Sequence, residues 1–250
     1  MSYRALLFDL FRTVLLFDAE APSNRVTEPS WRPAMEALRV PMSGLLPGVD
    51  FDRFLDALVE VTEEVGRRRP PEYFELPCAE RYRRACARLG IEGPEVAELA
   101  EQAARLQMAQ LMAHAHLPDE SRRLLHELAG RHRLGLISNF DHAETIWRLL
   151  ARFAIGDLFA VTLVSIEFGR RKPHPSIFAE ALQRLEVDAG EALYVGDSLI
   201  EDVDGARAAG LDAVWINPSA APLPAGHARP MAVIAQLADL RGVLRSRASG

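Results

Sequence analysis

Five short apolar runs limit the possible folds of this chain more than any other feature. Each is four or five residues long, and both faces of each are apolar, which is typical of strands inside a parallel sheet covered on both sides. Stretches with helical periodicity separate the later runs. This alternation predicts an α/β fold with a doubly wound, Rossmann-like parallel sheet. The runs are Ala5–Phe8, Leu134–Ile137, Val161–Ser165, Ala192–Val195 and Ala213–Ile216.

The region from Asp18 to His116 departs from this alternation and contains no convincing strand. Apolar stripes at helical spacing predict helices there, and breaks rich in Pro and Gly separate them. We therefore expect two domains: an α/β core formed by residues 1–17 and 117–250, and an all-helical insertion over residues 18–116. The last apolar stretch, Met231–Leu244, predicts a covering helix. The predicted helices of the insertion are 51–62, Cys78–Leu89 and Glu95–Ala113, and the breaks are Pro41–Gly48, Pro70–Pro71 and Gly90–Gly93.

Charge and hydropathy exclude several classes of partner. The net charge of −6 argues against a nucleic-acid backbone, which requires a basic face. No apolar run approaches the length of a membrane span. The run Ala5–Leu10 is too short for the core of a signal peptide and contains Asp9. We therefore expect a cytoplasmic protein.

Polar side chains follow four of the predicted strands, at the sheet edge where doubly wound proteins bind ligands. Asp9 ends the first run, Ser138 and Asn139 end the second, and Lys172 lies in a proline-fixed turn after the third. Taken singly, each of these residues is equally well explained as a cap, a turn residue or a solvated loop residue.

The fourth of these strands ends in Gly196-Asp197, and Asp202 follows it. Two carboxylates that converge on one point, as Asp9 and Asp197 would, repel each other unless a cation lies between them. Oxygen ligands without Cys or His favour Mg²⁺.

Taken together, these residues resemble the four motifs of the haloacid dehalogenase superfamily. Asp9 matches the nucleophile of the first motif and Thr13 its accompanying hydroxyl. Ser138 with Asn139 matches the second motif, Lys172 with Pro173 the third, and Gly196-Asp197 with Asp202 the fourth. The resemblance implies that Mg²⁺ is held by Asp9, the backbone carbonyl of Phe11 and Asp197, with Asp202 orienting the waters of the metal. The insertion lies where members with a helical cap between the first and second motifs carry that cap.

Two residues of the first motif depart from the superfamily pattern. Phosphatases of the superfamily usually carry a second Asp two residues after the nucleophile, which protonates the leaving group, but Phe11 stands there. Arg12 follows where glycine is usual. The 2-haloacid dehalogenases carry an aromatic residue at the position of Phe11, yet they use no metal and lack the Gly-Asp of the fourth motif.

Three functions therefore stay open. The first is Mg²⁺-dependent hydrolysis of a small phosphate ester through an aspartyl phosphate on Asp9. The second is displacement of halide from a 2-haloacid, and the third is a catalytically weakened binding protein. The sequence does not identify the substrate: candidates for contact with its anion lie in the helical region, although solvated surface is the simpler interpretation of each. These candidates are Arg25, Arg32, Arg67–Arg69 and Tyr73.

Overall fold

A six-stranded parallel sheet forms the centre of the α/β part of the molecule. The computed structural model describes residues 3–18, 35–36, 39–45 and 48–248. The sheet has the strand order β5-β4-β1-β6-β7-β8, and every neighbouring pair is parallel. The doubly wound α/β fold is therefore confirmed. The strands are β1 (Ala5–Phe8), β4 (Arg133–Ser138), β5 (Val161–Val164), β6 (Ala192–Gly196), β7 (Asp212–Ile216) and β8 (Ala232–Ile234).

Helices alternate with these strands along the chain. Because β1 lies between β4 and β6, all four of its residues are fully buried, as its apolar sequence predicts. The α/β helices are α5 (Asp119–Ala129), α6 (Ala143–Arg152), α7 (Ser165–Phe168), α8 (Pro175–Leu185), a π-helix over Leu199–Asp204, α9 (Gly205–Ala208) and α10 (Leu240–Ala248). Two short strands, β2 (Leu16–Phe17) and β3 (Ala115–His116), form a separate two-stranded sheet.

The chain divides into two compact units. One comprises Met1–Leu16 with His116–Gly250, and the other comprises Phe17–Ala115. The predicted domain boundaries lie one residue away from these, and the role of the second unit as a cap stays a prediction. The helices of the second unit are α1 (Arg39–Leu45), α2 (Phe51–Arg68), α3 (Cys78–Arg88) and α4 (Glu95–His114).

The helical unit has its own aromatic core. Phe54 is fully buried and stacks on Tyr82 across α2 and α3, with ring centroids 6.1 Å apart. Asp50 begins α2, since its side chain accepts hydrogen bonds from the backbone N–H groups of Asp52 and Arg53. Among the candidate anion contacts, Arg69 pairs with Glu75 at 3.2 Å. Arg25 and Arg32 lie outside the described residues.

Two expectations about secondary structure are wrong in part. The stretch Met231–Leu244 begins with the edge strand β8 rather than with a helix, and α10 starts only at Leu240. Its β-branched residues pair with β7 instead of continuing the helical period. The break predicted at Pro41–Gly48 contains the end of α1.

No helix within the described ranges combines the length and apolar character needed to cross a membrane.

We predict that Phe54→Ala lowers the free energy of unfolding by about 3–5 kcal/mol, because it leaves a cavity beneath Tyr82. The control is Phe74→Ala in the same unit, since Phe74 is 57% exposed. That change should cost less than about 1 kcal/mol. Denaturant unfolding of both variants gives the two midpoints, and equal shifts would contradict the aromatic core described above.

Candidate active site

The first part of the site is a tight loop that follows β1. Asp9 continues β1, and its backbone N–H donates to the carbonyl of Val195 on β6 at 2.9 Å. Hydrogen bonds from Arg12 N to Leu15 O and from Val14 N to Leu10 O close the loop on itself. Arg12 has a φ of 62°, in the left-handed region that glycine adopts most easily. The loop therefore keeps a glycine-like backbone although arginine occupies the position.

Two buried hydroxyl groups lie near Asp9 and need hydrogen-bond partners. Thr13, in the loop after β1, and Ser138, at the end of β4, are 2% and 1% exposed. Neither Oγ atom has a hydrogen-bond partner among the described residues. Buried polar groups are almost always paired, so an unpaired one calls for an explanation. Because β1 and β4 are neighbours in the sheet, both hydroxyls lie at the same edge as Asp9.

The loop after β4 is fixed by two side chains. Ser165, which follows β5, accepts a hydrogen bond from the backbone N–H of Phe140 at 2.9 Å. Asn139 makes a reciprocal pair with the backbone of Lys172: its Nδ2 donates to the carbonyl at 3.0 Å, and its Oδ1 accepts from the N–H at 2.8 Å. The amide of Asn139 thus holds the main chain of Lys172.

Lys172 reaches the centre of the site. Its Nζ donates to Asp9 Oδ1, Asp202 Oδ1 and the hydroxyl of Tyr194, each at 2.7 Å. Burial alone would lower the pKa of Lys172, but the carboxylates of Asp202 and Asp9 outweigh it and hold that pKa well above its ordinary value. The lysine is therefore a charged ammonium, buried and paired.

Asp202 is held close to the backbone after β6. Its Oδ2 accepts from the N–H of Ser198 at 2.9 Å, while its Oδ1 accepts from Lys172. A Cβ on Gly196 would overlap the carboxyl group of Asp202 and would lie 2.6 Å from the Cβ of that residue. The glycine is therefore required for this close approach.

Three carboxylates converge on the centre of the site. Asp9, Asp197 and Asp202 each offer a carboxylate oxygen, and these oxygens all lie within 4.8 Å of one another. Burial raises the pKa of Asp9 to about 8; Lys172 lowers this pKa, and the carboxylates of Asp202 and Asp197 raise it further. The oxygens of the three carboxylates form a donor set that suits a hard divalent cation.

Phe11 stands where the superfamily resemblance predicts a second Asp, and its side chain carries no polar group. Its ring packs against Phe140, with centroids 5.0 Å apart, so the loops after β1 and β4 meet through aromatic rings. Glu201, another acidic residue, lies five residues after β6 and forms an ion pair with Arg171 at 2.8 Å.

The structure brings Asp9, Lys172, Asp197 and Asp202 together. Around them it places Thr13 on the loop after β1, Ser138 at the end of β4 and Asn139 directly after it. Sequence reasoning missed Tyr194 and Ser165. Tyr194 lies within an apolar run, where a hydroxyl gives no separate signal. The sequence pattern predicts Ser165 as the last residue of a strand, whereas it begins α7.

Comparison with known proteins agrees with this arrangement. The family model described as haloacid dehalogenase-like hydrolase matches residues 57–216. The chain belongs to the haloacid dehalogenase-like hydrolase family. The glyceraldehyde 3-phosphate phosphatase of Methanopyrus kandleri is 30% identical over 214 residues, which are 86% of this chain and 84% of that protein. The expected superfamily, and the expectation that the chain is a hydrolase, are thereby confirmed.

Two further similarities point to different chemistry within the haloacid dehalogenase-like family. The glyceraldehyde 3-phosphate phosphatase of Pyrococcus abyssi is 42% identical over 86 residues, 34% of this chain. That match spans only 36% of the length of the relative. The crystal structure of a 2-haloacid dehalogenase from Pseudomonas syringae pv. Tomato DC3000 covers 98% of this chain and 99% of its own, with 27% identity and a TM-score of 0.74.

We predict that Gly196→Ala displaces Asp202 and destabilises this haloacid dehalogenase-like fold by about 1–3 kcal/mol, because the added methyl group has no room. Gly190→Ala is the matched control, since no atom lies within 4 Å of the Cβ it would add. Thermal unfolding of both variants measures the difference. A Gly196→Ala protein as stable as the control would contradict the close approach of Asp202 to the backbone.

Proposed function

We propose that this protein is a Mg²⁺-dependent phosphohydrolase that acts on a small phosphorylated metabolite. The observation that carries the proposal is the group of three carboxylates, Asp9, Asp197 and Asp202, beside the single ammonium of Lys172. Displacement of halide requires no cation, so it gives no reason to bring Asp197 to the nucleophile. The phosphatases named among the relatives support the same class of substrate.

Asp9 and Asp197 would hold the metal directly, together with the carbonyl of Phe11. Both oxygens of Asp202 already accept hydrogen bonds from Lys172 and Ser198, so its role would be to orient the metal's waters and Lys172. Bound Mg²⁺ would supply positive charge that offsets the excess of carboxylates and neutralises phosphate oxygens. The added charge would also lower the pKa of Asp9, which favours the ionised form that a nucleophile requires.

The remaining residues would bind and orient the phosphoryl group. Asp9 would attack phosphorus, the bond from phosphorus to the leaving oxygen would break, and water would later hydrolyse the aspartyl phosphate. The hydroxyls of Thr13 and Ser138 would donate to phosphoryl oxygens, which would give these two buried groups the partners they lack. Lys172 would add its positive charge, and Asn139 would fix the loop that carries Lys172.

The second candidate is a dehalogenase-like hydrolase, in which Asp9 displaces halide from carbon. The specific observation in its favour is the pair of rings formed by Phe11 and Phe140, which places an apolar wall where a phosphatase carries its acid. The similarity to the Pseudomonas syringae dehalogenase points the same way.

The test is a phosphate-release assay over a panel of phosphoesters that includes glyceraldehyde 3-phosphate, with Mg²⁺ and with a chelator, beside halide release from 2-haloacids. We predict phosphate release that depends on Mg²⁺ and falls to background in Asp9→Asn, because the amide is not a nucleophile. Asp197→Asn should lose most Mg²⁺ binding in calorimetry while staying folded. Halide release without Mg²⁺, and no phosphate release, would replace the proposal with the dehalogenase.

Phe11 leads to a further prediction about the leaving group. Without a general acid at this position, the wild type should cleave aryl or acyl phosphates well and alkyl phosphates slowly, because alkoxide leaving groups need a proton. General acid–base assistance is worth about 10²–10⁴-fold. Phe11→Asp should therefore raise kcat/KM selectively for alkyl phosphates.

Phe11→Asn is the matched control, since it reduces the side-chain volume as much as Phe11→Asp does but supplies no titratable proton. It should leave the preference for aryl phosphates unchanged. Both rates are measured on one aryl and one alkyl phosphate with Mg²⁺ saturating. A wild type that treats the two substrates alike would mean that another group donates the proton.

A further inference from the structure

The ammonium of Lys172 has no hydrogen left to offer. A lysine ammonium carries three N–H donors and no acceptor. Lys172 Nζ makes three hydrogen bonds of 2.7 Å, and the side chain is 1% exposed. Two of the three acceptors are the carboxylates of Asp9 and Asp202. The third is the hydroxyl of Tyr194, which belongs to none of the four motifs.

The hydroxyl of Tyr194 has a defined orientation. Because Lys172 accepts nothing, the tyrosine oxygen accepts from Nζ. The nearer of the two acceptors for its own hydrogen is Asp202 Oδ1 at 3.2 Å; the other is the carbonyl of Ile137 at 3.5 Å. Tyr194 lies on β6 and is fully buried. Its ring packs edge-on against the ring of Phe178, with centroids 5.3 Å apart. The hydroxyl therefore joins the ammonium to Asp202 from a rigid position in the sheet.

A phosphoryl group that reaches Asp9 can obtain a hydrogen from Lys172 only if one of the three bonds changes partner. Release of Asp202 would break a buried ion pair, and release of Tyr194 would break a buried hydrogen bond to a charged group; both losses are costly. The hydrogen bond to Asp9 is the one that lies beside the proposed reacting atoms. Two N–H groups thus stay occupied, and the third is directed at the reacting atoms.

We propose that Tyr194 is a positioning residue for catalysis: its hydroxyl, together with Asp202, holds the ammonium of Lys172 so that the third N–H faces Asp9 and the phosphoryl oxygens. This role rests on the proposed phosphohydrolase function. A tyrosine that merely fills the core would contribute through its ring, so removal of the oxygen alone separates the two roles.

The kinetic test is Tyr194→Phe, which keeps the ring against Phe178 and removes the hydroxyl. A hydrogen bond to a charged group is worth enough to predict a fall in kcat of about 10–100-fold. KM should change by no more than about twofold, because Thr13, Ser138 and the metal would still bind the phosphate. The control is Tyr3→Phe, which removes another buried tyrosine hydroxyl, 2.6 Å from Asp212 and near the amino end of β1. It should keep the wild-type kcat.

A second measurement does not depend on hydrolysis. Lys172 is the one lysine among the 29 Lys and Arg residues of the chain, so labelling with ¹⁵Nζ-lysine gives a single side-chain signal. We expect that signal to exchange slowly with water in the wild type and in Tyr3→Phe, and to shift and exchange faster in Tyr194→Phe. Tyr194→Met replaces the Phe variant if that variant does not fold.

An unchanged kcat in Tyr194→Phe would overturn the positioning role, whatever the signal does. If the wild type hydrolyses no phosphate ester, the proposed function fails, and the signal alone decides whether Tyr194 holds Lys172. An unchanged Nζ signal in Tyr194→Phe would then overturn the inference on its own.

Discussion

The buried ammonium of Lys172 is the interaction on which the rest of the site depends. It joins the end of β1, through Asp9, to β6 and the π-helix after it, through Tyr194 and Asp202. Its main chain is tied to β4 through Asn139. Burying such a charge costs several kcal/mol per ion, on the order of what its pairing returns. A well-packed apolar side chain would stabilise the fold as well, so stability does not account for a lysine here, whereas the chemistry proposed at Asp9 would.

The positive charge beside Asp9 does not offset its burial and its acidic neighbours. Lys172 offsets one carboxylate, and Asp9, the most affected, has its pKa raised to about 8 because burial and its acidic neighbours both oppose ionisation. The unpaired hydroxyls of Thr13 and Ser138 show a second deficit, this time of acceptors. A cation and an anion that enter together satisfy both deficits. A metal-bound phosphoryl group has this composition, whereas a haloacid brings no cation.

Much of this follows from the sequence because parallel strands end at a common edge. Once β1, β4 and β6 are recognised as apolar runs, the polar residues that follow them must lie near one another. The same reasoning does not predict a role for Tyr194, because its ring fits an apolar strand. Only three-dimensional packing brings its hydroxyl to Lys172. The sequence does not predict the edge strand β8 for a related reason. This strand is three residues long within a longer apolar stretch, and only its pairing with β7 distinguishes strand from helix.

The two departures in the first motif differ in kind, and the difference bears on the chemistry. Arg12 changes the residue but not the backbone, since it accepts a φ of 62° at a cost of roughly 1–2 kcal/mol. The loop still closes from Arg12 N to Leu15 O, so Asp9 and Thr13 keep their places. Phe11 instead changes what the loop presents, because its ring lies on Phe140 and offers no proton. Under the proposed mechanism, Asp9 would attack without a general acid at the position of Phe11. The leaving group of the substrate would then have to depart as a stable anion or bring its own proton.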